Sequence, residues 1–175
     1  MSHFFTTPGA EDREFVLGQE LRVKILTTGA ETEGRHDLVD ASQPAGSMTP
    51  LHLHTRYEER LWVLSGSVTV WAGSEEASLK SGDFATVPLH VPHAIKAGAD
   101  GARLLNITSP AGFAELIARA ATPARLADAS TELDFERFLA VCTELGDVVL
   151  GPPGSTPADL DENGQLRTPP APPAG

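Results

Sequence analysis

The sequence predicts an all-β barrel or sandwich with a short helical C-terminal appendage, and three observations carry that expectation. Short segments rich in β-branched and aromatic residues recur between Gly and Pro turn signals from Leu21 to Thr108. After Pro110 the hydrophobic period lengthens from two to that of a helix. From Gly151 onward the chain is Pro-rich and nearly without apolar anchors.

Taken in order, Leu21-Arg22-Val23-Lys24-Ile25-Leu26 alternates apolar and polar residues, as a half-buried strand does. Residues 35–43 form a weaker strand candidate, closed by Pro44-Ala45-Gly46. Residues 61–70, interrupted by Ser65-Gly66-Ser67, read as two strands joined at a glycine turn. Ala72-Gly73-Ser74-Glu75-Glu76 turns the chain into a short strand through Leu79, and Ser81-Gly82-Asp83 turns it into residues 84–87. Residues 91–96 and 102–108 complete the strands. Phe113, Leu116, Ile117 and Ala120 then fall at helical spacing, as do Phe135, Phe138, Leu139 and Cys142. Thr131 or Asp134 caps the second helix and Gly146 ends it. Residues 147–150 return as a short strand or a packed extended segment. This gives a barrel with N-terminal strands over 1–110, a packed helical appendage over 111–150 and a loose tail over 151–175.

Composition narrows the function. At 175 residues the chain suits one domain, and its 41% hydrophobic and 21% charged residues are those of a folded globular protein. A formal net charge of −11, without any cluster of Lys and Arg, excludes nucleic acid and anionic membranes as expected partners. No apolar run approaches membrane-spanning length, and the first residues lack the basic-then-apolar pattern of a signal peptide. The one cysteine, Cys142, lies in an apolar helical pattern and reads as a buried, inert thiol. A cytoplasmic location follows as the expectation.

The chemistry is concentrated between Gly46 and His93. On a strand, His52 and His54 are two apart and point to one face, so both imidazoles reach a single ion. After a four-residue turn Glu59 opens the next strand, where a carboxylate facing the same interior adds an oxygen ligand. Leu61 and Val63 follow it inward as an apolar floor. His93, after the turn at residues 88–92, supplies a third imidazole. Three imidazoles and a carboxylate suit one divalent transition metal (Fe, Mn, Co, Ni, Cu or Zn), with one or two positions left open; Ca and Mg prefer all-oxygen shells.

These residues resemble the two motifs of the cupin superfamily. The first is glycine, five residues, His-x-His, three or four residues, glutamate, six residues and glycine, which Gly46, His52, His54, Glu59 and Gly66 satisfy. In the second, Gly82, Pro88 and His93 match, while His90 replaces a glycine in the turn and Ala97 replaces an asparagine. Glu59 is preferred to Glu58 as the ligand because six residues from it reach Gly66. The resemblance implies a double-stranded β-helix, or jelly-roll, barrel. The segment after Pro110 is similar to the tail of small, single-domain, quercetin dioxygenase-like cupins. That similarity implies a dioxygenase in which His52, His54, Glu59 and His93 hold the metal. Glu59 is then also the catalytic base, acting on a flavonol-like or other enolisable aromatic molecule. A cyclase or isomerase of aromatic polyketide type, using the metal and Glu59 without oxygen, is the alternative, and a non-catalytic ligand-binding module is the third. A homodimer is expected, since such barrels have sheet edges to cover.

Other residues read more plainly. Glu58 is a solvated turn residue or a partner steadying a ligand histidine, and His90 forms the turn or contacts substrate. His3 and His36 belong to no constellation. Tyr57 is an exposed loop aromatic or a gate, Trp62 faces away from the metal, and Phe84, Phe113, Phe135 and Phe138 are core residues.

Overall fold

Alternating burial along the strands builds two antiparallel sheets that share two long strands. A computed structural model describes residues 13–18 and 21–167. The long strands are β5 (Glu58–Ala72) and β8 (His93–Ser109), paired along almost their whole length. Their first and second halves lie in different sheets. One sheet runs from β1 (Glu14–Leu17) through β2 (Leu21–Thr27) and β3 (Asp37–Gln43) to the later half of β8. It continues through the early half of β5 to β7 (Phe84–Val87). The other joins β6 (Glu75–Lys80) to the later half of β5 and the early half of β8. From there it passes to β4 (Leu51–His54) and β10 (Asp147–Gly151). A two-residue strand, β9 (Thr122–Pro123), pairs with β1. The jelly-roll barrel read from the motifs is thus the observed architecture.

Two pairs of expected strands prove to be single ones. Residues 61–70 do not turn at Ser65-Gly66-Ser67; the ladder to β8 continues across it with register shifts on either side of residues 65–66. Gly66 takes φ of +72°, which bends the strand without ending it. Opposite it, Gly101 at φ +75° does the same within β8. A Cβ on Gly66 would lie 2.1 Å from the Gly101 carbonyl oxygen, so the two bends need glycine to nest.

The barrel core gathers Leu61, Val63, Val68, Val70, Ile95 and Leu104 between the sheets. The appendage, α1 (Phe113–Ala120) and α2 (Phe135–Leu145), packs through Leu116 and Ala120 against Phe138, Val141 and Cys142. Asp134 caps α2 by accepting from Arg137 N–H at 3.0 Å, and Gly146 closes it in the left-handed conformation at φ +83°. Burial pushes the Cys142 thiol pKa up to about 12, with Asp147 adding to the shift, as an inert thiol requires.

Two of the expected core phenylalanines are half exposed. Phe84 is 51% exposed because β7 turns Ala85 and Val87 inward and so turns Phe84 out. Phe135 is 49% exposed because it opens α2 beside the inward stripe of Phe138, Val141 and Cys142. Trp62, 46% exposed on the face opposite Leu61, points away from the interior as expected. The tail expected to be loose from Gly151 carries local hydrogen bonds as far as Arg167. A short 3-10 turn at Pro157–Asp159 leads to a bridge between Leu160 and Leu166, and Leu166 lies over Gly151. His3 and residues 168–175 lie outside the described residues. Among those described, no helix is long and apolar enough to cross a membrane.

Candidate metal centre

The short strand β4 carries Leu-His-Leu-His, so alternation turns both of its histidines to one face. The β4–β8 register then sets His93 directly opposite His52. Glu59 faces the same interior from β5, while Glu58 and Arg60 point the other way and pair with each other. One ligand atom from each of His52, His54, Glu59 and His93 lies within 4.8 Å of all the others. The four residues read from the sequence are therefore brought together. His54, Glu59 and His93 are buried, at 4%, 4% and 0% exposure.

The ring orientations are fixed from outside the cluster. Nδ1 of His52 donates to the Pro50 carbonyl at 2.7 Å, and Nδ1 of His93 donates to the Val91 carbonyl at 2.9 Å. A carbonyl only accepts, so Nδ1 carries the proton and Nε2 offers its lone pair inward. Nδ1 of His54 faces Asp147 Oδ1 at 2.7 Å, which imposes the same tautomer. Asp147 reaches this point because β10 pairs with β4 in a register that sets it opposite His54. The steadying role considered for Glu58 thus falls to Asp147, a residue the sequence reading had placed only in an extended segment. Tyr57 is a loop aromatic that is buried rather than exposed, at 1% exposure, and it stacks on His54 at a centroid distance of 4.4 Å. His90 adopts φ +63° in the turn and is exposed, as a turn-forming residue.

Electrostatics favour a cation at the centre. Burial, with His93 and His54 beside it, drives the His52 pKa well below its ordinary value and keeps that ring neutral. Burial also opposes charge on His54. Asp147 at Nδ1 and the Glu59 carboxylate 3.5 Å from Nε2 outweigh it and raise the pKa to about 9. Glu59 is held well below the usual carboxylate range despite its burial, because His54 and His93 face it. Its Oε2 lies 3.2 Å from His93 Nε2. The buried Nε2 of His54 has no hydrogen-bond partner. Three inward nitrogens, the orphaned Nε2 of His54 among them, and one carboxylate fit a divalent transition metal.

Comparison with known proteins agrees with this geometry. Residues 40–108 match the family model described as Cupin domain. A 143-residue stretch is 28% identical to quercetin 2,3-dioxygenase of Bacillus subtilis (strain 168), covering 79% of this chain; it spans only 42% of that relative. Among solved structures, an RmlC-like cupin from Shewanella frigidimarina superposes with a TM-score of 0.54 at 24% identity, over 63% of this chain and 93% of that one. KdgF from Halomonas sp. gives 0.51 at 21% identity, over 55% and 84%. Both likenesses concern the fold. The motif spacing, the double-sheet barrel and the domain match agree that residues 40–108 form a cupin domain.

Proposed function

We propose that the chain is a metal-dependent dioxygenase acting on a flavonol-like or other enolisable aromatic small molecule. The observation that carries this reading is the cavity onto which three residues of the four-residue cluster open. Its volume is about 680 Å³, and His52, His54 and Glu59 stand in a wall otherwise built largely from side chains such as Val23, Ile95, Phe113, Leu116, Ile117 and Phe138. A largely apolar pocket with a few convergent polar groups suits a planar aromatic of modest size. The similarity to the Bacillus subtilis quercetin 2,3-dioxygenase supports the same substrate class.

When bound, the ion would supply Lewis acidity toward an enolate oxygen and a redox-active neighbour for dioxygen. The chain's own residues do the rest. Glu59 lines the cavity and accepts the proton of the substrate hydroxyl. Asp147 and the Pro50 and Val91 carbonyls keep the imidazoles aimed inward throughout. The largely apolar wall shields the reacting hydroxyl from bulk water.

Oxygen uptake tests the reading, with protein reconstituted separately with Fe, Mn, Co and Ni and supplied with quercetin. Uptake is expected to need the metal and to fall about 100-fold or more in Glu59→Gln, as loss of a general base predicts. No uptake with any of the four ions would move the reading to a cyclase or isomerase that uses Glu59 without oxygen.

A further inference from the structure

The apolar wall of the cavity is broken by a buried polar group that the fold leaves without a partner. Asn106, on β8, is 6% exposed, lines the cavity, and its Oδ1 makes no hydrogen bond. The registers explain why. Its neighbours across the ladders are Val39 on β3 and Leu61 on β5, both 0% exposed and both without a polar side-chain atom. Alternation turns Asn106 inward together with Leu104 and Thr108, so the amide has only the cavity to face.

Its position relative to the metal centre follows from the same ladder. Thr108 lies directly opposite Glu59, which makes Asn106 the diagonal cross-strand neighbour of Glu59. Such neighbours sit ~7–8 Å apart, a distance that one aromatic ring with its substituents spans. The other buried atoms without partners, among the described residues, are placed differently. His54 Nε2, Asp147 Oδ2 and the Tyr57 hydroxyl belong to the candidate metal centre and its support; Gln43 Oε1 lines the same cavity, but on a residue that is only half buried and is not a diagonal neighbour of Glu59. A valine or leucine at 106 would have continued the wall, whereas a buried amide without a partner is costly to keep.

We propose that Asn106 is a substrate-positioning residue whose amide hydrogen-bonds a second hydroxyl of an aromatic substrate, the first hydroxyl standing at Glu59. The proposal rests on the dioxygenase reading above and narrows its substrate class to aromatics carrying at least two hydroxyl groups. A hydroxyl both donates and accepts, so it pairs with either end of the carboxamide. A site built to satisfy a substrate hydroxyl rejects analogues that lack it, because the protein group is then left unpaired.

Anaerobic equilibrium binding to zinc-loaded protein tests this without turnover. Quercetin, with several hydroxyls, is compared with 3-hydroxyflavone, which has only the one that would meet Glu59. In Asn106→Leu, quercetin is expected to bind about tenfold or more weakly, the worth of a hydrogen bond to a buried group, while 3-hydroxyflavone stays within about twofold. The ligand-free variant is expected to melt no lower than the parent, since an unsatisfied amide has been removed. Equal weakening of both ligands, or no change in either, overturns the role of Asn106 and leaves the flavonol-like reading standing. If the parent protein binds neither ligand, that reading falls and the assignment falls with it. Asn106→Ala gives the same comparison should leucine not fit. Unfolding of both variants would show that the amide serves the fold, and would overturn the proposal.

Discussion

His54 is gripped from both sides, and the grip explains several residues at once. Asp147 holds Nδ1 at 2.7 Å, while the Tyr57 ring lies on the imidazole at 4.4 Å with an interplanar angle of 27°. Tyr57 in turn needs Gly112 beneath it, since a Cβ there would come within 2.4 Å of its ring. Asp147→Ala frees the His54 ring and its tautomer while leaving the backbone ladder from β10 to β4 in place. Metal affinity is expected to drop by about 10–100-fold, the usual effect of losing such a partner. Competition against a chromophoric chelator measures it, and unchanged affinity would reduce Asp147 to a packing residue. At this scale the ligands were legible in the sequence because their spacing obeys local rules. A two-residue step puts His52 and His54 on one face, and the count to Gly66 selects Glu59 over Glu58. Asp147 was not legible, since nothing local links it to a histidine 93 positions away.

Among the elements, α1 shows how the barrel and its appendage depend on each other. Its N-cap, Gly112, has no side chain to cap with. Asp37 on β3 supplies the acceptor instead, taking the Gly112 and Ala114 N–H groups at 2.8 and 3.0 Å and the Thr108 hydroxyl at 2.5 Å. Asp37 is 1% exposed, so its removal strands several buried donors. Asp37→Ala is expected to cost about 1–3 kcal/mol, seen as a lower urea midpoint at unchanged m-value. Because Phe113, Leu116 and Ile117 of this helix wall the cavity, the same variant is expected to weaken quercetin binding. A midpoint unchanged within error would mean that water replaces the carboxylate without loss. The helices themselves were readable from their period and caps, and Gly146 stops α2 where its position predicted. Their seat on the barrel was not, because it is Asp37, far earlier in the chain, that receives α1.

For the molecule as a whole, the metal centre and the core are separate. Leu61, Val63, Val68, Val70, Ile95 and Leu104 pack together without any of the four ligands among them. A second cluster of Phe15, Val23, Ile25, Val39 and Ile117 ties the N-terminal strands to α1. Burial on this scale holds the fold by the hydrophobic effect, so the barrel is expected to keep its shape without an ion at the four-residue cluster. Protein stripped with a chelator, or carrying His52→Ala, is expected to keep one cooperative thermal transition. Its Tm should fall only by the stabilisation that a bound ion adds through linkage. A melt that lost cooperativity without metal would make the site structural.

The sequence by itself determined the barrel, the two helices and the four residues of the candidate metal site. Each is encoded in patterns spanning a few residues, namely alternation along a strand, helical period, and glycine at bends. Only the tertiary structure decided which strands run on through Gly66 and Gly101, because a bend and a turn share the same local composition and differ in whether β8 is there to pair. It also decided that Phe84 faces out, that Tyr57 lies buried against His54, and that Asp147, Asp37 and Asn106 face the interior. Those outcomes depend on which distant strand lies alongside and in what register. A register is set by the sum of contacts across whole ladders, which no short stretch of sequence contains.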